Sequence, residues 1–162
     1  LSDAKKANVR VTELLSLDEN EAVIRRFVEE VQSQHNLELS DELMDPDMID
    51  HYHQMQGLPQ PNLNKVEAFK KFYSVLLGAS PDAKAEIHSM IAEGDLVATH
   101  KTLHCTHKGE FMGIPPIGKR VEIDIIDIFR IAGGKMAEHW GIINWTSIMQ
   151  QLGVTQPPRQ QN

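Results

Sequence analysis

The sequence predicts an α+β fold in which helices come first and a curved antiparallel sheet follows. Apolar residues in the first half recur every three or four positions, a period typical of amphipathic helices, whereas those in the second half alternate, which is typical of strands. The length of 162 residues suits one domain whose core is large enough to enclose a pocket.

A long amphipathic helix is predicted near the N-terminus. Asp18 and Glu21 have the spacing of a capping box, in which each side chain accepts from a backbone N–H of the other residue. The buried stripe of this helix is expected to comprise Ile24, Phe27, Val28 and Val31. A second helix is expected to begin at a capping box of Asn64 and Glu67 and to end at Gly78.

Four long strands are predicted in the second half, because apolar residues alternate there between turn signals. They are expected at residues 84–92, 96–107, 121–131 and 135–144. In the first of them one face is expected to carry Ala85, Ile87, Ser89 and Ile91. Shorter elements are predicted near 40–45 (helical), at 48–53 (strand) and at 146–152 (helix).

Composition limits the organisation and the partners of the chain. We expect an N-terminal arm at 1–17, the folded domain at 18–153 and a disordered tail at 154–162. A net charge of −7 disfavours nucleic acid and anionic membrane surfaces as partners. No apolar run approaches the roughly 18 residues of a membrane span and no signal peptide is recognisable, so we expect a cytoplasmic location.

The C-terminal half carries a series of motifs in a fixed order. They are Thr106-His-Lys-Gly109, Phe111-Met-Gly-Ile-Pro-Pro116, Gly118-Lys-Arg120, Ile126-Asp-Ile-Phe-Arg-Ile131, Glu138-His-Trp140 and Gln150-Gln-Leu-Gly153. This order and spacing resemble the SnoaL-like polyketide cyclases, or ester cyclases, over about residues 18–153. The resemblance implies the cone-shaped α+β fold of the nuclear transport factor two-like superfamily, a curved antiparallel sheet wrapped around a long N-terminal helix with a pocket at its mouth.

The same resemblance implies a reaction. Relatives close a ring of a polyketide ester by intramolecular aldol chemistry and need neither a metal nor an organic cofactor. Their catalytic aspartate matches the position of Gly141, and an assisting histidine matches that of Asp127. The chain departs from the family at both positions, and Asn144 replaces a further family acid.

Asp127 is the strongest candidate for a catalytic residue, with His139 as its partner. Asp127 is in register with Val121, Ile123, Ile125, Phe129 and Ile131, so we expect it to face the interior. Burial among apolar groups predicts a raised pKa, as a general acid or base near neutral pH needs. The alternatives are a structural role or a bulge that turns the residue outward. His139 is expected to orient or protonate a substrate oxygen, or else to be a hydrogen-bonded histidine of the wall.

Further side chains are expected to bind the substrate. These are Tyr52, His53, His100, His104, His107, Phe111, Trp140 and Asn144. Alternation does not decide which face of strand 96–107 lines the cavity. His51 and His53 share one strand face, but no motif supplies convergent further ligands, so we predict no metal site.

The leading hypothesis is a cofactor-independent enzyme that performs acid–base chemistry, such as aldol cyclisation or isomerisation, on a small apolar carbonyl compound. The alternatives are a ligand-binding protein without catalysis and a dimeric scaffold. Ile126 and Ile128 lie on the strand face opposite Asp127 and predict a homodimer, because an exposed apolar sheet face favours a partner.

Overall fold

The computed structural model describes residues 16–51 and 63–154. Along the chain these contain helix α1 (Leu17–Arg26), a π-helical segment (Phe27–Ser33), a 3-10 turn (Leu37–Leu39), α2 (Ser40–Leu43), β1 (Met44–Asp50), α3 (Lys65–Ala79), β2 (Lys84–Glu93), β3 (Leu96–Thr106), β4 (Arg120–Ala132), β5 (Lys135–Ile143) and α4 (Trp145–Gln151). The predicted N-terminal arm and C-terminal tail lie almost entirely outside the described residues.

The five strands form one curved sheet in the order β1-β5-β4-β3-β2, which confirms the predicted α+β class. The pairings of β2 with β3, β3 with β4 and β4 with β5 are antiparallel, as expected. The short edge strand β1 instead runs parallel to β5, so that Asp50 lies beside His139. This single parallel pairing brings the end of β1 to the site described below.

The N-terminal helix packs its predicted stripe into the core. Ile24, Val28 and Val31 are fully buried, and burying such a side chain contributes roughly 1.5–3 kcal/mol. The capping box was assigned two residues too late: Ser16 Oγ accepts from the Glu19 N–H at 3.2 Å, and Glu19 Oε2 accepts from the Ser16 N–H at 2.7 Å. Ser16 precedes the first helical turn directly, so its hydroxyl reaches the orphan N–H groups there.

Helix α3 begins at the predicted capping box, in which Asn64 and Glu67 satisfy each other's backbone N–H groups. It does not end at Gly78, because the helix continues to Ala79 and Ser80 follows as its C-terminal cap. The aromatic face of α3 meets the N-terminal helical layer, where the ring centroids of Phe69 and Phe27 are 5.2 Å apart.

A bulge in β2 changes the predicted facing of that strand. The pairing with β3 shifts register between Ile87 and Ser89, so one residue, His88, is inserted. Alternation therefore inverts after the bulge: Met90 packs against the core, whereas Ile91, expected on the same face as Ile87, is exposed. An inserted residue moves every later side chain of the strand to the opposite face, so strict alternation no longer predicts which residues are buried.

Two groups of buried side chains make up the core. One lies under the N-terminal helical layer and includes Phe27 and Phe129, and the other lies under α3 and α4 and includes Tyr73 and Ile148. Both groups contribute to the wall of one cavity. No helix within the described residues is long and apolar enough to cross a membrane.

Candidate active site

A cavity of about 300 Å³ lies between the inner face of the sheet and the helices. Its wall is mainly aromatic and aliphatic, including Phe69, Phe72, Ile123 and Ile125. Pockets that hold small molecules have a volume of about 300–1,000 Å³ and combine such walls with a few polar groups. Here the charged and amide side chains of the wall are Gln32, Asp50, Lys65, Lys101, Asp127 and His139.

Asp127 faces this cavity, as strand alternation predicts, and is 6% exposed. Both of its carboxylate oxygens have partners. Oδ2 lies 2.8 Å from Lys101 Nζ, and Oδ1 accepts from His139 Nε2 at 3.1 Å. The three residues belong to adjacent strands β3, β4 and β5, so the sheet itself fixes their separation.

The pKa of Asp127 moves opposite to the direction predicted from sequence. Burial alone would raise it, but the positive charge of Lys101 and the hydrogen bond from His139 outweigh burial and hold the pKa at about 2. The prediction of a raised pKa was wrong because it counted only apolar strand neighbours. The carboxylate is therefore ionised at neutral pH.

His139 lies between two carboxylates. Its Nε2 contacts Asp127, and its Nδ1 lies 3.0 Å from Asp50 Oδ1. Burial alone would lower the pKa of His139, but the hydrogen bonds to Asp127 and Asp50 raise it to about 9. The imidazole is therefore a cation at neutral pH, with both N–H groups directed at carboxylates. The His139 ring also stacks on that of Phe129 with 4.7 Å between the ring centroids, which restricts rotation of the imidazole.

Gln32 joins the cluster from the π-helical segment. Its side-chain Oε1 accepts from Lys101 Nζ at 3.0 Å, and its backbone oxygen accepts from the Tyr73 hydroxyl at 2.9 Å. Single π-helical turns within α-helices occur frequently at functional sites. Among the described residues of this cluster, the cations Lys101 and His139 oppose the anions Asp50 and Asp127.

Gly141 makes room for the pair formed by Asp127 and His139. It is the cross-strand partner of Asp127 on β5. A Cβ at this position would lie 2.9 Å from Asp127 Oδ1 and 3.1 Å from His139 Nε2. Real Cβ atoms essentially never come as close as 2.9 Å to another atom, so a side chain here would displace the Asp127 carboxylate and crowd the His139 ring.

Of the residues predicted to bind substrate, Phe111 lies in the cavity wall. His100 and His104 lie outside it, because the inner face of β3 carries the odd-numbered residues Val97, Lys101 and Leu103. His100 is exposed with its ring 4.9 Å from that of His88. His104 contacts Glu86 Oε2 at 3.1 Å on the outer face. The placement of these two histidines in the cavity was therefore wrong.

Three further candidates also lie outside the cavity wall. His107 is buried beyond the end of β3, where its backbone pairs with Lys119 and Gly118. Trp140 points to the outer face, and its ring is stacked 4.9 Å from that of His51. The exposed Asn144 caps α4, where its Oδ1 accepts from the Ser147 N–H at 3.1 Å.

The remaining candidates, Tyr52 and His53, lie outside the described residues. The described member of the predicted histidine pair, His51, contacts Glu138 Oε1 at 2.8 Å. Among the residues that the structure describes, no group of three or more side chains has the arrangement of a metal site.

Sequence reasoning missed Lys101, Asp50 and Gln32. A signal for Lys101 existed, since the odd-numbered positions of its strand also hold Val97, Leu103 and Cys105 and form the more apolar face. A lysine at the centre of such a face predicts a buried ion pair. Asp50 had no comparable signal, because its position depends on the parallel pairing of β1 with β5.

The sequence matches the model of the SnoaL-like polyketide cyclases over residues 22–152. The chain belongs to this family. Its membership confirms the resemblance carried by the C-terminal motifs. None of the curated proteins compared with the chain matches it.

Solved structures of the same fold agree with this assignment. AclR of Streptomyces galilaeus, a candidate hydroxylase, is 30% identical with a TM-score of 0.72, over 87% of this chain and 100% of its own. IdmH of Streptomyces antibioticus, a candidate polyketide cyclase, is 30% identical with a TM-score of 0.72, over 83% and 99%. A candidate polyketide cyclase of Acidithiobacillus ferrooxidans is 25% identical with a TM-score of 0.68, over 86% and 98%.

Proposed function

We propose that this family member is a cofactor-independent enzyme that moves a proton on a small apolar carbonyl compound, as a polyketide cyclase or an isomerase does. The proposal rests on the cluster of Asp50, Lys101, Asp127 and His139 in the wall of a mainly apolar cavity. The family and the polyketide-cyclase neighbours support this class of reaction. The fold alone does not specify it, since one fold hosts many chemistries.

Asp127 is the proposed base. Its carboxylate would take a proton from the carbon next to the substrate carbonyl, and the electron pair of that C–H bond would move onto the carbonyl oxygen to give an enolate. In a cyclisation the enolate carbon would then attack a second carbonyl of the same molecule. The resulting alkoxide would recover the proton from Asp127, so that the product is an isomer of the substrate.

His139 is proposed to remain a cation beside Asp127 during this proton transfer. Its cation lies beside Asp127, and Asp50 fixes its ring from the other side. Once Asp127 is protonated, the imidazolium loses an anionic partner and becomes a stronger acid. Its positive charge would then be less compensated and would stabilise the developing alkoxide, which takes its proton from Asp127. Preorganised charges of this kind are a major source of catalysis.

The test uses 2-tetralone, a two-ring ketone with exchangeable protons next to its carbonyl. We expect the wild-type protein to accelerate exchange of these protons for deuterium, followed by NMR. Asp127→Asn should reduce the rate about 10²–10⁴-fold, because an amide does not accept the proton. Tyr73→Phe, which removes a hydroxyl bonded to the backbone of Gln32, serves as the control variant within the same wall.

The alternative is a binding protein without catalysis. It predicts that wild-type protein binds 2-tetralone, measured by calorimetry, while the exchange rate stays at that of the buffer. An unchanged rate in a folded Asp127→Asn variant would refute the role of Asp127 even if the wild type were active.

We further propose that the protein forms a homodimer through the outer face of the sheet. Ile126, Ile128 and Ile142 are exposed there on the paired strands β4 and β5. A second copy offers the same apolar patch, as a two-fold interface requires. Sedimentation should show a dimer for the wild type and a monomer for Ile126→Lys. A wild type that stays monomeric at micromolar concentration would contradict the proposal.

A further inference from the structure

Lys101 is the most unusual residue of the cavity. Its side chain is 1% exposed, although lysines are almost never fully buried unless they are paired. It lies on β3 and reaches the cavity wall, where its ammonium contacts Asp127 and Gln32. A buried ion pair of this kind is weak evidence for added stability, because desolvation of both charges opposes their attraction. Added stability therefore does not explain why a lysine is buried at this position.

Hydrogen-bonding capacity distinguishes Lys101 from its neighbours. Protonated His139 has two N–H groups, and both are directed at carboxylates. An ammonium has three N–H groups. Among the described residues, the Lys101 ammonium contacts Asp127 Oδ2 and Gln32 Oε1, so one N–H remains for a ligand in the cavity.

We propose that Lys101 is a catalytic residue whose ammonium donates a hydrogen bond to the substrate's carbonyl oxygen and stabilises the enolate that forms there. The proposal rests on the function proposed above and adds the group that receives the developing negative charge. The proton goes from the α-carbon to Asp127, the electron pair goes to the oxygen, and Lys101 keeps its own protons. No covalent bond to Lys101 forms.

The geometry couples these two roles. Lys101 Nζ lies 2.8 Å from the carboxylate that acts as the base. A substrate oxygen that draws the ammonium toward itself weakens this contact. Burial of Asp127 is then less fully compensated, which makes the carboxylate more basic at the moment when a proton must be accepted. A carbonyl compound would thus activate the base that attacks it, whereas an apolar molecule without a carbonyl would leave the resting pair intact.

The test measures binding of 4-nitrophenolate, a flat anion that mimics an enolate, by titration of its visible absorption. The Asp127→Asn variant imitates the protonated base and provides the background. In this background we expect Lys101→Met to weaken phenolate binding roughly tenfold or more, because a charge-assisted hydrogen bond is lost. The double variant also avoids leaving a buried carboxylate without its partner, so it should fold. Thermal melting verifies that the Asp127→Asn variant and the double variant are both folded.

Two controls identify the cause of a loss. Nitrobenzene has the same ring without the charged oxygen, and its affinity should change less than about threefold when Lys101 is replaced. Lys65 contributes an exposed cation to the same cavity wall. Lys65→Met in the Asp127→Asn background should weaken phenolate binding much less than Lys101→Met, because solvent screens an exposed charge.

Several outcomes would overturn the role of Lys101. These are equal phenolate affinity with and without Lys101, an equal loss in the Lys65 variant, and no phenolate binding to Asp127→Asn at all. A covalent adduct on Lys101 after incubation with 2-tetralone and borohydride would show a nucleophile instead. Failure of the proposed function looks different: the wild type would not accelerate deuterium exchange in 2-tetralone, whatever the phenolate titrations give.

Discussion

The ion pair between Lys101 and Asp127 predicts an unusual double-mutant cycle. The two charged atoms are 2.8 Å apart, and the side chains are 1% and 8% exposed. Removing one partner of such a pair leaves an uncompensated buried charge, which typically costs about 3–5 kcal/mol. Lys101→Met and Asp127→Asn should therefore each lower the free energy of unfolding strongly. The double variant leaves neither charge behind, so it should be more stable than either single variant.

Urea unfolding at pH 7 measures this, with the fluorescence of Trp140 and Trp145 as the signal. We expect the sum of the two single-variant losses in free energy of unfolding to exceed the loss in the double variant by about 3 kcal/mol or more. The midpoint and the slope of each curve must both be compared, because a changed slope indicates a changed denatured state.

The control cycle uses Lys70 and Asp41, whose charged atoms are 2.7 Å apart but whose side chains are 21% and 63% exposed. Solvent screens this pair, so its two substitutions should be nearly additive. The reasoning is refuted if the cycle of Lys101 and Asp127 is equally additive, with the double variant less stable than both single variants. Such a result would mean that water or another charge compensates each partner.

Three further predictions follow from the site. The pKa of His139 is raised to about 9 from its ordinary 6.5. The contribution of His139 to stability is therefore complete below about pH 6.5 and is lost as pH rises through 9. Melting curves should show that the stability advantage of wild type over His139→Gln shrinks by up to about 3 kcal/mol across that range. Gly141→Ala should lower the free energy of unfolding by about 1–3 kcal/mol and alter the His139 ring resonances in NMR spectra, because the new Cβ would lie 2.9 Å from Asp127 Oδ1. Gly78→Ala is the control and should not destabilise the protein, because the space around its Cβ is open. Added zinc should not raise the melting temperature, and a stoichiometric rise would contradict the predicted lack of a metal site.

The position of Gly141 also gives a physical reading of the departure from the family pattern. Gly141 and Asp127 are cross-strand partners, so a carboxylate placed on either strand would reach the same part of the cavity. Here the space next to β5 is already filled by Asp127 and His139. Replacing Gly141 by Asp would therefore crowd two carboxylates and would not restore the arrangement that the resemblance implies.

The sequence by itself determined the fold class, the helices, the long strands and the inward direction of Asp127. These depend on local periodicity, capping residues and side-chain alternation, all of which act over a few neighbouring positions. The motifs of the C-terminal half also sufficed to recognise the family. Local alternation still gave the wrong facing for the second half of β2, because one residue, His88, is inserted there.

Only the tertiary structure decided the chemistry of the site. The pKa of Asp127 depends on Lys101 and His139, which come from two other strands, and the ionisation of His139 depends on Asp50 at the end of β1. Electrostatic energy follows distance in space, and no local pattern encodes which strand lies next to which or in what register. The more apolar odd-numbered face of β3 is a signal that Lys101 points inward, but its contact with Asp127 follows from the pairing of β3 with β4.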